Sequence, residues 1–342
     1  MIYISSDKEY CVFKDKDVDL YMKIRFVKLI CAKDAILNIK WFLCIRNYEG
    51  ILYTFMNQKK TFNSMRINYL RFICLLLMAI IETQNVSAQS KKDFYQLKIY
   101  RLKDDTQVTR VDSFLKNAYL PALHRLGIKQ VGVFKLIAND TTMLKAMRVF
   151  KPGDNDVNKT RSIYVFIPLK SLQQFHDITS KLDNDAVLAN DGKNYFEAAY
   201  NNVPYQRIET VLLEAFPDHP KFAMTALKAA VKDRIYELRS YEGPTERKYA
   251  SKVKMFNAGG EIPLFKRLEF NAVFYAAVLA GSHMPNLMYM TSFESMDARN
   301  AHWQAFVNSP EWKKLVAMPE YSNTISGAEV LLCHAAEYSD IY

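Results

Sequence analysis

The chain has 342 residues, with 46 Lys and Arg against 36 Asp and Glu, a formal net charge of +10. Residues 89–342 hold 33 basic and 28 acidic side chains, so half of that surplus (+5) lies in the first 88 residues. There is no basic block and no alternation of aromatic and basic residues, which argues against a nucleic-acid partner, and 254 residues beyond position 88 suit two domains of ordinary size.

Residues 1–64 contain one Gly, no Pro and many Lys, Ile, Tyr, Phe and Asn, without a clear helical or strand period. AT-rich non-coding DNA read as protein gives such a set, so this stretch is expected to be a spurious or disordered extension. Residues 65–88 have the order of a secretory leader: Arg66 and Arg71, the apolar run FICLLLMAII at 72–81, then a polar tract ending in small Ala88. Ten apolar residues make about 15 Å of helix, half of a bilayer core. The leader predicts a mature chain from Gln89, periplasmic or secreted, with no membrane anchor after cleavage. Of five cysteines only Cys333 lies in 89–342, which leaves no internal disulfide and no Cys-rich zinc site there.

The remainder repeats itself. YQLKIY (95–100) matches YELRSY (236–241); NAYLPALHRL (117–126) matches NAGGEIPLFKRL (257–268); YVFIPLKSL (164–172) matches MYMTSFESM (288–296); ETVLLEA (209–215) matches AEVLLCH (328–334). Four blocks in one order at a spacing of 120–140 residues mean a duplicated domain rather than a solenoid. Each copy reads strand, helix, strand, strand, helix, strand. In the first strand Tyr95, Leu97 and Ile99 alternate with Gln96, Lys98 and Tyr100; in its counterpart Tyr236 and Leu238 alternate with Glu237, Arg239 and Tyr241. Ser295 is read as the cap of a helix with Met296, Arg299, Trp303 and Phe306 on one side, and Ser309 with Pro310 as the start of another. The fold class is therefore α+β: two tandem ferredoxin-like βαββαβ domains, 93–216 and 234–342, whose open sheet faces meet to form an intrachain α+β barrel. The segment 217–233, rich in Ala, Lys and Leu, is predicted to be a helical linker.

The second copy resembles a NIPSNAP domain. The residues that carry the resemblance are RIYELRSYEG (234–243), KMFNAGGEIPLFKRL (254–268), MPNLMYMTSFESMDARNAHWQAFVNSPEWKKL (284–315) and EYSDIY (337–342). The first copy keeps the pattern but lacks counterparts of Arg299 and Trp303. The resemblance implies the dimeric α+β barrel fold, which also carries monooxygenases, muconolactone isomerases and haem-binding chlorite-dismutase-like proteins, and it implies no settled activity.

If the helices need the Tyr236/Leu238 face, then Glu237, Arg239 and Tyr241 face the barrel lumen, with Lys98 and Tyr100 opposite, and Tyr275 and His283 nearby. Such a set can hold and polarise an acidic or enolic ligand, or it can be an ion-paired seam, Glu237 to Lys98 for instance. The histidines show no metal-ligand spacing, and no phosphate loop or nucleophile elbow is present, so neither a metal nor a cofactor is expected. Two functions follow. One is a periplasmic barrel that binds a small ligand or a protein partner, with further self-association of chains open. The other is a cofactor-independent monooxygenase or isomerase acting on a small acidic or aromatic substrate, with Glu237 or Tyr241 taking a proton and Arg239 holding the anion.

Overall fold

A computed structural model describes residues 92–149 and 161–342, together with three short strands near the N-terminus. Those strands, Ile2–Ile4, Tyr10–Asp15 and Val18–Lys23, pair antiparallel in chain order and belong to a unit of their own, where composition shows no strand period. The leader expected at 65–88 lies outside the described residues, as does the rest of the extension expected at 1–64.

In the first half, β1 (Phe94–Arg101) is followed by α1 (Asp105–Phe114), a π-helical turn (Leu115–Tyr119) and α2 (Leu120–Arg125). Then come β2 (Gly132–Asn139), α3 (Thr141–Ala146), β3 (Ile163–Leu169), α4 (Leu172–Asp183), α5 (Ala186–Asp191), α6 (Lys193–Phe196) and β4 (Arg207–Ala215). The second half repeats this order with β5 (Ile235–Glu242), α7 (Glu246–Phe256), α8 (Glu261–Arg267), β6 (Asn271–Ala280), β7 (Asn286–Phe293), α9 (Met296–Asn308), α10 (Pro310–Val316) and β8 (Gly327–Ala335). Ser295 and Ser309 cap α9 and α10, each accepting from a backbone N–H three residues on.

All eight strands close into one antiparallel barrel in the order β7-β5-β8-β2-β3-β1-β4-β6. Inside each half the first strand is central: Leu97 of β1 sits between Phe166 and Val211, and Leu238 of β5 between Met290 and Leu331. The halves join twice in the same manner, the fourth strand of one against the second strand of the other, with Cys333 opposite Leu136 and Leu213 opposite Val278.

The assignment of faces is the reverse of the one expected. Tyr95, Leu97, Ile99, Tyr236 and Leu238 point into the lumen, where they form one apolar core with Phe134, Phe166, Phe274, Met290 and Cys333. Rings from both halves cross it: Phe166 stacks on Phe274 at 4.8 Å between centroids, and Phe134 meets Tyr236 at 4.9 Å. Alternation separates the two faces of a strand but does not say which is inside, because both are covered, one by the opposite sheet and the other by helices. The reversal follows from polarity. The helices supply side chains that neutralise Glu237 and Arg239, whereas the lumen beneath the opposite sheet is mostly apolar and its Arg101 and Glu209 are already paired with each other.

The linker expected to be helical is irregular except for one 3-10 turn, Val231–Asp233. Pro217 and Pro220 lack backbone donors, and the chain spends its hydrogen bonds on neighbours instead. Ala223 N–H donates to Val273 O at 3.1 Å, and the Glu294 carboxylate takes the N–H groups of Lys228 and Ala229 at 2.9 and 2.6 Å. The C-terminal tail returns to the first half. Ser339 Oγ and Asp340 Oδ2 accept from the backbone of Val133 and Val131, both at 2.9 Å, and Ile341 is fully buried in the lumen core.

Candidate functional site

Glu237, Arg239 and Tyr241 alternate along β5 and all point at the layer of helices. Glu237 is completely buried. Its Oε2 accepts from Arg299 Nε and from Trp303 Nε1, both at 2.8 Å, and its Oε1 accepts from Arg299 Nη2 at 3.0 Å. Arg299 and Trp303 lie one turn apart on α9, so the helix presents a fork and an indole donor to one carboxylate. The same Nη2 also meets Asp140 Oδ2 at 2.7 Å, while Nη1 donates to Asn300 Oδ1 at 3.1 Å. Against the effect of burial, these two carboxylates hold the Arg299 guanidinium above its ordinary pKa.

Arg239 is 1% exposed and is the largest fully buried side chain among the described residues. Its guanidinium carbon lies 4.1 Å from the centre of the Trp303 ring and 5.5 Å from that of Tyr241. Nε is 3.5 Å from Glu237 Oε1, an ion-pair contact without a hydrogen bond, and Nη2 donates to the thioether of Met147 at 3.7 Å. Met147 comes from the other half. The connection leaving β2 is capped by Asp140, carries fully buried Leu144, and packs Met143, Met147 and Val149 into the helix-side core of the second half.

Beside this lie Tyr241 and Tyr289, whose hydroxyls are 3.0 Å apart, with Tyr275 stacked on Tyr289. Burial pushes all three phenols up. Lys252 pairs with Glu261 at 2.9 Å and sits 4.7 Å over the Phe256 ring. Burial raises the Glu261 carboxyl, with Lys252 pulling it back. The cluster thus holds three cations (Arg239, Arg299, Lys252) and three carboxylates (Glu237, Asp140, Glu261), and one of each, Arg299 and Asp140, belongs to an ion pair that ties the two halves together.

Of the residues expected from sequence, Glu237, Arg239, Tyr241 and Tyr275 meet here, outside the lumen. Lys98 and Tyr100 lie at the corresponding place under the helices of the first half, so the Glu237–Lys98 pair is not formed. His283 is in the β6–β7 turn, half exposed, and pairs with Glu242 at 2.9 Å, away from the cluster. The lumen expected to receive a substrate is filled by side chains. Asp140, Met147, Lys252, Glu261, Tyr289 and the pairing role of Arg299 and Trp303 were not foreseen. The signal for the last two was present: Arg299 on the core-facing stripe of a helix requires a buried counter-charge, and Glu237 is the carboxylate on the strand beneath.

This geometry favours binding over proton abstraction. The Glu237 oxygens already accept three hydrogen bonds, and the Tyr241 phenol is held neutral by its burial, so neither is a ready base. Arg239 keeps one donor, Nε, without a hydrogen-bond acceptor. Among the described residues no three His, Cys, Asp or Glu side chains group as a metal ion would need, and no helix is long and apolar enough to cross a membrane.

Residues 236–340 match the family model described as NIPSNAP. A comparison with curated proteins gives no match. Solved structures similar to the chain include a candidate monooxygenase from Lactobacillus acidophilus NCFM, 9% identical, covering 71% of this chain and 94% of that one with a TM-score of 0.43. An anthrone oxidase-like protein is 7% identical over 73% of this chain and 93% of its own, with a TM-score of 0.41. A NIPSNAP family protein from Agrobacterium tumefaciens str. C58 is 18% identical, covering 32% of this chain and 99% of that one, with a TM-score of 0.29. The second half of the barrel, with its Glu237–Arg299–Trp303 cluster, carries the sequence pattern of the NIPSNAP family.

Proposed function

We propose that the protein is a periplasmic or secreted binding protein that holds a small aromatic acid under the helices of its second half. The ligand carboxylate sits on Arg239 and its ring lies among Trp303, Tyr241 and Tyr289. The observation that carries this reading is the hydrogen bonding of Arg239. Its guanidinium is fully buried, its Nε makes no hydrogen bond, and its Nη2 spends a donor on a thioether, a weak acceptor. A carboxylate replaces that contact with charge-assisted bonds of roughly twice the strength. Met147 leaves as the ligand enters, and the aromatic walls supply the apolar part of the affinity.

The test is a thermal-shift titration of the full chain with benzoate and 4-hydroxybenzoate, repeated with Arg239→Lys. Saturating ligand at a hundred times its Kd stabilises by about 2.7 kcal/mol, which is roughly 5–10 °C in Tm for a barrel of this size. The expected result is a saturable shift in the wild type that is lost in the variant. No shift with any aromatic acid, or an equal shift in Arg239→Lys, refutes the reading.

A further inference from the structure

A groove of about 600 Å³ opens on the first half of the barrel, where α1 meets the corner between α5 and α6. It lies outside the segment that matches the family, which begins at residue 236, and in the other half from Arg239. Thr106, Thr109, Arg110 and Ser113 line it from α1 at the three- and four-residue spacing of one helix face. From Thr106 to Ser113 this row runs about 10 Å along the helix. Asp191 and Asn194 line the groove from the other side, and the buried rings of Phe114 and Tyr195 form its floor.

The polar groups are held in place yet keep bonding capacity. Arg110 donates from Nη1 to Asn202 O at 2.7 Å and from Nη2 to Asn202 Oδ1 at 3.3 Å, which fixes the fork and leaves its other N–H groups over. Asp191 accepts from its neighbour Asn190 at 3.1 Å and has no cation at ion-pair distance among the described residues. Thr109 donates its hydroxyl to Asp105 O at 2.9 Å and keeps an acceptor, while Ser113 accepts from Asn117 at 3.3 Å and keeps a donor. Beneath them Phe114 and Tyr195 stack at 3.8 Å, and Phe196 stands edge-on to both, at 5.3 and 5.4 Å. Phe196 is 53% exposed, which for a ring of that size marks a contact surface. Gly192 lets these rings reach the groove: a Cβ there would come within 2.7 Å of Phe196 Cε2 and 3.0 Å of Phe114 Cε2.

We propose that this groove binds a neutral saccharide of two or more linked rings, with Phe196 as the stacking platform. A pyranose has an apolar face of C–H groups and a rim of hydroxyls that both donate and accept. The groove offers the complement: an exposed ring for the face, and guanidinium, amide, hydroxyl and carboxylate groups for the rim. The mixture of charges decides the ligand class. An anion would meet Asp191 and a cation would meet Arg110, whereas a sugar hydroxyl donates to the one or accepts from the other, with a charge-assisted bond in either case. An amino acid carries both charges, but on a single carbon, and is too short to use a row of about 10 Å. The site is separate from Arg239 and does not depend on the carboxylate reading.

The experiment is saturation-transfer difference NMR on the full chain with cellobiose, maltose and N,N′-diacetylchitobiose, saturating the protein's aromatic protons. At least one of the three is expected to bind saturably, with the strongest transfer to the C–H protons of one ring face. Phe196→Ala should raise its Kd roughly tenfold, the loss of one ring's apolar contact. Asp191→Asn should raise it about threefold to tenfold, the loss of a charge-assisted bond. Asp191 is exposed, so that variant should keep Tm within about 2 °C of the wild type and carries the test even where Phe196→Ala folds poorly. Arg239→Lys should leave saccharide binding unchanged. No transfer to any of the three sugars overturns the proposal, as does a Kd that neither groove variant changes. Binding that is lost in Arg239→Lys instead puts the sugar in the other half and overturns it too. Equal affinity for glucose and the disaccharide overturns the extended ligand.

Discussion

Replacing Glu237 with Gln removes one negative charge from a cluster that has three of each sign. Arg299 keeps Asp140 at 2.7 Å, but Arg239 loses its only carboxylate contact. The new amide can accept from Arg299 or from Trp303 with its oxygen, while its NH2 group faces the other donor. The result is a buried cation without compensation, which costs about 3–5 kcal/mol; an orphaned donor of about 1–3 kcal/mol overlaps this figure rather than adding to it. For a barrel of this size each kcal/mol is roughly 2–4 °C, so Glu237→Gln should lower Tm by roughly 6–20 °C. The assay is differential scanning calorimetry of the full chain, with Arg239→Met and the double variant alongside. Removing both charges leaves apolar matter against Trp303, and the double variant should recover much of the loss, with a coupling of about 2 kcal/mol or more. A single-variant loss below about 1 kcal/mol, or strictly additive effects, would mean that the cluster is wetter than its burial implies.

Three further outcomes follow from the same structure. Glu261 has a raised pKa in the folded state because it is buried, so between its unfolded value near 4.5 and its folded value the native protein binds more protons, and its contribution to stability falls as pH rises through that window; the Tm difference between wild type and Glu261→Gln, measured from pH 4 upward, should shift against the wild type. Deleting residues 339–342 removes Ile341 from the lumen and two backbone-capping side chains from β2, which should cost about 4–6 kcal/mol by urea titration. The Cys333 thiol is fully buried and its pKa is pushed far up by burial, so peptide mapping should find it unmodified by iodoacetamide in the native chain and fully modified in urea.

The order of strands and helices could be read from the sequence, because blocks of alternating residues leave few ways to bury two sheets. The identity of the polar side chains on β5 could be read as well. Their direction could not. Tyr236 and Leu238 serve a lumen as well as they serve a helix layer, and only the counter-charges on α9 break the tie. The sequence puts Arg299 on the inner side of its helix, and it is the match of Arg299 to Glu237 that fixes the face of β5. Met147 and Asp140 were beyond reach for a different reason: they come from a connection whose path across the barrel no local pattern encodes. The linker is not helical because Ala, Lys and Leu favour helix only where no better partner competes for the backbone, and Glu294 and β6 compete.

Each half gives its fourth strand to the other and takes a fourth strand in return, so the barrel has the pairing of a two-fold dimer drawn as one chain. A dimer of identical subunits must carry the same site twice, and any change to one copy is imposed on both. Here the constraint is gone: Gln96 and Lys98 have been free to part from Glu237 and Arg239, and the connection after β2 to seal one half only. Joining the halves also removes the dependence of folding on concentration, since neither waits for a partner to complete its sheet. The price is that neither half can be exchanged for another copy by dissociation.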